Sequence, residues 1–121
     1  MASKSHGQYI FEVKDWLGRI VRLTRHTYDI HKDRHPEFSP YIEASKETIK
    51  DPDFVAETDS KAIALFRFGL GKNLYKHLYL VVIVHYEGKV GRVATHYFTS
   101  RIGDLKIIKI RHQWVSGLRY P

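Results

Sequence analysis

The stretch "TRHTYDIHKDRHPEF" (residues 24–38) gathers three histidines, His26, His31 and His35, around Arg34 and Pro36. On a helix, His31, Arg34 and His35 stand at i, i+3 and i+4 and share one face. His26 lies about 140° round the axis from His31 and points elsewhere. Three uses of so much imidazole compete: a metal site, a proton-transfer site, or a solvated histidine-rich helix. The H-x-x-x-H spacing matches zinc peptidases, but those place a Glu directly after the first His as general base. That position is Lys32 here. Lys32 and Arg34 also make the neighbourhood cationic, which opposes a dication. The sequence therefore points away from metal, with no cofactor expected. It leaves proton transfer by imidazoles, which titrate near neutrality, beside the solvated helix.

A second unusual stretch is "RVATHYFTSR" (92–101). Read as a strand, period-two alternation puts Val93, Thr95, Tyr97, Thr99 and Arg101 on one face, with Ala94, His96 and Phe98 on the other. A row of Thr, Tyr, Thr and Arg suits hydrogen bonding to phosphates and stacking on bases. The same residues also make an ordinary solvated sheet face. In "LFRFG", Arg67 faces opposite to Phe66 and Phe68, where its fork on an open face would match phosphate oxygens; a plain surface role is commoner. "FGLGKNLYKH" (68–77) lacks the spacing and the Ser/Thr of a phosphate loop and falls between strands, so a nucleoside triphosphatase is excluded. It reads as a flexible basic loop offering Lys72 and Lys76 to a nucleic-acid backbone. The remaining histidines, His6, His77, His85, His96 and His112, show no paired spacing. His96 stands out among them because its strand is rich in polar groups.

The elements that must position these residues follow from periodicity. "YIFEVKDW" (9–16) and "RIVRLT" (19–24) alternate as a hairpin that buries Phe11, Val13, Val21 and Leu23. Thr24 can cap a helix running from Arg25 to the residue before Pro36. Ser39-Pro40 starts a second helix with Ile42, Ser45 and Ile49 on one stripe, ended by Asp51-Pro52. Residues 53–58, 62–69, 77–88 and 89–101 then read as strands, with a tight turn around Glu87-Gly88. The run 105–114 alternates too, as strand or helix. The layout is α+β: an N-terminal β-hairpin and two short helices packed on a curved, largely antiparallel β-sheet.

With 121 residues, 43% apolar and 13% aromatic, the chain is expected to be one folded domain, 1–121, with residues 1–8 a flexible N-terminus. It has no cysteine, which excludes disulfides, thiolate zinc sites and cysteine nucleophiles and fits a cytoplasmic protein. "MASKSHGQYI" carries no apolar core of a signal peptide, and "LYLVVIV" (78–84) is far short of a membrane span, so no membrane partner is expected. Twenty Lys+Arg against thirteen Asp+Glu give a net charge of +7, which favours a polyanionic partner, nucleic acid first.

"GRIVRLTRHTYDIHKDRHPEF", "YIEASKETIKDPDFV", "LYLVVIVHYEG" and "VATHYFTSR", in this order, resemble the phage-associated nuclease-like domains of the barnase–EndoU–colicin–RelE (BECR) superfamily. The resemblance spans roughly residues 18–101. It implies a BECR/RelE-like fold with RNA on an exposed sheet face. The implied activity is metal-independent, toxin-type endoribonuclease cleavage. Apart from the resemblance, a third use of the positive charge is that of a structural or partner-binding protein contacting an acidic inhibitor or antitoxin protein. Carried onto this chain, the helix motif falls on His31, with Arg34, His35 and Pro36 as its "RHP" element. The sheet motif falls on Thr95, Tyr97 and Arg101. His96 stands where a small residue is expected.

Metal-free RNA cleavage needs a base for the 2′-OH, an acid for the 5′-oxygen and a cation for the developing charge. The expected assignment is His31 as acid or base with His35 or His96 as its partner. Arg67, Arg34 or Arg101 would stabilise charge, and Tyr97 would stack or orient. Thr99, Lys72 and Lys76 would add nucleic-acid contacts. The alternative is a non-catalytic nucleic-acid-binding module on the same fold. A composite site of this kind requires His31 and the 95–101 strand to face one another.

Overall fold

The structure is a computed structural model that describes residues 8–58 and 60–101 and, as backbone alone, 106–110 and 113–114. The expected hairpin is β1 (Tyr9–Lys14) and β2 (Ile20–Thr24). Helix α1 (Arg25–Lys32) follows at once, and α2 (Ile42–Lys50) follows a 3-10 turn at Ser39–Tyr41. Strands β3 (Phe54–Glu57), β4 (Ile63–Phe68), β5 (Tyr79–Glu87) and β6 (Val90–Thr99) form a meander. The run 105–114 resolves as strands, β7 (Lys106–Ile110) and β8 (Gln113–Trp114).

The eight strands among the described residues form one sheet in the order β1-β2-β6-β5-β4-β3-β7-β8. Every pairing is antiparallel except one: β2 lies parallel to β6, over Ile20↔Val90, Val21↔Gly91 and Arg22↔Arg92. The α+β class stands as read from the sequence, while this parallel joint was not anticipated. It arises because both helices cross one face of the sheet between β2 and β3, and the meander then returns to β2.

The helix-covered face holds the larger core. Val21, Leu23, Phe38, Ile49, Val55, Leu65, Leu80, Val82, Val84 and Val93 are all fully buried there. Each fully buried side chain of this size contributes about 1.5–3 kcal/mol. Ser45 and Ile49 mark the buried stripe of α2, which packs over β5, β4 and β1. The opposite face carries a smaller cluster of Ala56, Ala64, Phe66 and Val81, with Phe54, Tyr79 and Ile83 around it.

Helix α1 stops four residues before Pro36, earlier than expected. Thr24 caps its start by accepting from Thr27 N at 3.1 Å, as the sequence predicts. Beyond Lys32 the chain closes as a turn, with Arg34 N and His35 N both donating to the His31 carbonyl, and Pro36, which has no N–H, cannot extend the ladder. The turn carries Phe38 under α1 into the core. Ser39 does not cap α2; its hydroxyl meets the Tyr28 hydroxyl at 2.9 Å.

A candidate groove on the open sheet face

The bulge between β5 and β6 decides which residues of β6 share a side. Ile83 pairs with Thr95 and Val84 with Val93, leaving Ala94 as the extra residue. Alternation therefore breaks at Ala94. Val93 turns to the helix side with His96, and Thr95, Tyr97 and Thr99 keep the open side with Ile83, Val81 and Tyr79. Val93 does not share a face with Thr95, contrary to simple period-two reading.

The composite site expected from sequence is thereby divided. His31 Nε2 donates to the carbonyl of Ala94 at 3.0 Å, on the side of β6 that β2 leaves unpaired beyond Arg92. That bond fixes the Nε2–H tautomer, and Nδ1 is buried without a partner among the described residues. His31 stacks on Phe38, with ring centroids 5.2 Å apart, and His35 leans on His31 at 5.5 Å. Arg34 is exposed beside them. Thr95, Tyr97 and Thr99 lie across the sheet from this stack.

His96 is a core residue. It is 1% exposed, stacks on Phe38 with centroids 4.2 Å apart and donates from Nε2 to the Phe38 carbonyl at 3.0 Å. Burial pushes its pKa down to about 4, against weaker raising effects from the carbonyls of Phe38 and Glu37. A neutral imidazole packed this way has no access to substrate. Its polar strand neighbours made it conspicuous in sequence, but the bulge turned it inward.

Arg67 is also not on the open face. It shares the helix side with Ile63 and Leu65, and its Nη1 donates to the carbonyl of Asp51 at 2.8 Å, with the Asp51 carboxylate 3.7 Å away. It thus satisfies a carbonyl at the C-terminal end of α2. The 69–78 loop is pinned, not loose. Lys72 N donates to the Tyr41 hydroxyl at 3.1 Å, and Tyr75 stacks on Phe98 with centroids 4.6 Å apart. Lys72 and Lys76 remain exposed, as does Arg101, whose amide donates to Thr99 Oγ1 at 3.2 Å.

What the open face does assemble is a groove that sequence reading missed. Its walls are Tyr9, Arg22, Thr24, His85, Glu87, Val90, Gly91 and Arg92, enclosing about 220 Å³. Arg22, Arg92 and His85 form one row across three adjacent strands, through the pairs Arg22↔Arg92 and His85↔Arg92. Glu12 accepts from Arg22 Nε at 2.6 Å, which raises the Arg22 pKa further, and the Tyr9 ring lies 4.9 Å under the same guanidinium. Among the described residues, Arg92 makes no ion pair. His85 and Glu87, two residues apart on one strand face, stand roughly 7 Å apart at their backbones. Gly91 lends only backbone to the lining; its Cβ direction is toward the helix side, where a Cβ would come 2.7 Å from Val84 Cγ1.

A larger hollow of about 690 Å³ lies between the two hairpin turns, lined by Leu17, Gly18, Arg19, Ile20, Gly88 and Lys89. It offers no acid–base pair. Arg19 there is occupied, bonded to the Asp15 carboxylate at 2.9 Å and lying 3.8 Å over the Tyr86 ring. The smaller groove is the chemically equipped one.

No protein-family model, curated protein or solved structure matches the chain. Among the described residues, no three His, Asp or Glu side chains lie together as metal ligands, and no helix is long and apolar enough to cross a membrane.

Proposed function

We propose that the protein is a metal-independent endoribonuclease whose active centre is the open-face groove. The observation that carries this reading is the grouping of His85, Glu87, Arg92 and Arg22 on three neighbouring strands. Cleavage of RNA by its own 2′-hydroxyl needs a base, an acid and a cation around one phosphate. Glu87 accepts the 2′-OH proton as that oxygen attacks phosphorus. His85 gives a proton to the departing 5′-oxygen. The products are a 2′,3′-cyclic phosphate and a free 5′-hydroxyl. Arg92, with no acid of its own among the described residues, holds the non-bridging oxygens through its planar fork. Arg22, oriented by Glu12, and Thr24 flank the same phosphate.

The sequence resemblance to BECR nuclease-like domains and the +7 charge support RNA as the substrate, although the residues on which the resemblance falls lie outside the groove. His31 and His35 remain the alternative proton-transfer pair. They are less well placed, because one His31 nitrogen is bonded to Ala94 and the other is buried. That burial also favours a second reading, a nucleic-acid-binding module without cleavage.

One experiment separates the readings: a mixed-sequence RNA incubated in EDTA with wild type, His85→Ala, Glu87→Gln and His31→Ala. Cleavage by wild type and His31→Ala, but by neither groove variant, supports the proposal. Binding without cleavage by every protein leaves the binding module.

A further inference from the structure

On the same open face, beyond the groove, the sheet is apolar and aromatic. Its rows are Phe68–Tyr79–Thr99 and Phe66–Val81–Tyr97, read directly from the strand pairings. Phe66 and Val81 are buried, yet Phe68 is 46% exposed and Tyr97 39% exposed. Tyr79 sits between them, its ring 5.3 Å from that of Phe68. None of the open-side residues of β4, β5 and β6 in the three rows from Ala64–Ile83–Thr95 to Phe68–Tyr79–Thr99 carries a charge. Cations stand at the borders of this area. Arg92 lies on β6 ahead of the bulge and Arg101 follows Thr99, whereas the loop carrying Lys72 and Lys76 is held toward the helix side by Tyr41 and Phe98, and the Asp53 carboxylate accepts from Phe68 N at 2.8 Å.

We infer that Phe68 and Tyr97 form a stacking shelf for two unpaired bases of the strand whose phosphate lies in the groove. The inference rests on the nuclease reading and deepens it by restricting the substrate to single strands. Two exposed rings on a sheet face can meet the flat faces of bases only where those bases are free of a duplex. Arg92 and Arg101, exposed toward the two ends of β6, then meet the backbone, which fits a polyanion better than an uncharged partner. Thr95 and Thr99, on the same side of β6, offer hydroxyls to base edges or sugars. The shelf is continuous with the groove along β6, so one extended strand can occupy both. An aromatic ring contributes through its face and not its hydroxyl, so Tyr97→Phe retains the function that Tyr97→Ala loses.

The test uses the full chain and a 2′-O-methyl oligoribonucleotide, which binds but cannot be cut, presented as a single strand and as the matching duplex. Affinity is read by fluorescence anisotropy for wild type, Phe68→Ala, Tyr97→Ala and Tyr97→Phe. The single strand is expected to bind at least tenfold more tightly than the duplex. Each Ala variant is expected to lose roughly 5- to 100-fold, as base–aromatic contacts typically do, and Tyr97→Phe to stay near wild type. Equal binding of duplex, or Ala variants indistinguishable from wild type, overturns the shelf even if the wild type cuts RNA. A shelf that passes in a protein that cuts nothing leaves this inference standing and removes the nuclease reading. Concentration-dependent dimerisation abolished by Phe68→Ala, without any effect on RNA binding, identifies the patch as a contact between copies and also overturns it.

Discussion

Arg22 and Arg92 face each other as the last pair of the one parallel ladder among the described residues. Like charges directly opposite one another on adjacent strands oppose folding. Glu12 offsets one of them through its 2.6 Å bond to Arg22, while Arg92 has no ion pair among the described residues. A third cation-forming side chain, His85, is paired across the ladder with Arg92. The arrangement costs stability in the free protein and becomes favourable when an anion enters. This is the physical content of assigning the groove to a phosphate.

Arg92→Ala is therefore expected to lower RNA cleavage about 10²- to 10³-fold, as loss of one charge-stabilising donor does. Thermal stability should hold or rise slightly, since a repulsion is relieved. Arg92→Lys should recover only part of the activity, because an ammonium lacks the fork. Single-turnover cleavage beside a thermal melt measures both; a melt that falls by many degrees would mean that Arg92 serves the fold.

His31→Ala removes the donor to the Ala94 carbonyl and one ring of the Phe38 stack. A loss of about 1–3 kcal/mol of stability is expected from the carbonyl left unpaired. Cleavage per folded molecule should change by less than a few fold. Urea midpoints and initial rates at a temperature well below the melt report the two effects separately. A folded His31→Ala protein that is a hundredfold slower would return the chemistry to α1.

Acid should destabilise the fold through His96. Its pKa is pushed down from the ordinary 6.5 to about 4 in the folded chain, by burial first. Between those values the unfolded chain binds the proton that the folded chain refuses, so stability rises with pH. The contribution is fully present above about pH 6.5 and lost as pH falls through 4, amounting to roughly 3 kcal/mol. Urea unfolding at pH 7.5, 6, 5 and 4 should show this slope, and His96→Phe should flatten it. A wild-type profile level from pH 7.5 to 4 would contradict the burial of His96.

Asp15 anchors the turn between β1 and β2. Its carboxylate accepts from the amides of Leu17 and Arg19, from Arg19 Nε and from the Tyr86 hydroxyl. Asp15→Ala leaves the Arg19 guanidinium and the Tyr86 hydroxyl without this acceptor. A destabilisation of about 3–5 kcal/mol is expected, the usual consequence of breaking a buried pair from one side. A drop in melting temperature measures it, with the isosteric Asp15→Asn intermediate.

Gly91→Ala tests the close packing behind the groove, on the helix side of β6. The new methyl would lie 2.7 Å from Val84 Cγ1 and 2.8 Å from Tyr86 Cε1, so the ladder must shift. An overpacking cost of about 1–3 kcal/mol is expected, with cleavage lowered more than stability alone explains. A variant as stable and as fast as wild type would show that β6 moves freely at this point.

Local signals were readable in the amino-acid order. Alternation in 9–24 marked the hairpin and its buried residues Phe11, Val21 and Leu23, and Thr24 announced the start of α1. The strands of the meander followed from the same period, to within two residues at each end. Each of these depends on neighbours in the chain, so a local rule suffices. The tail run 105–114 stayed ambiguous because apolar alternation alone does not separate a short strand from a short helix.

Non-local pairing decided the site. Arg22, His85 and Arg92 are each an unremarkable polar member of an alternating strand, and 63 residues separate the first from the second. Only the parallel joint of β2 with β6 makes them a row. One inserted residue at Ala94 reversed the side of every later residue on β6, which sent His96 into the core and kept Tyr97 on the open face. Arg67 was likewise settled by Asp51, sixteen residues away, whose carbonyl at the end of α2 needed a donor. Side-chain chemistry and local period thus came from the chain itself. The face each group occupies came from register, because a one-residue slip in a strand exchanges the two sides of a sheet.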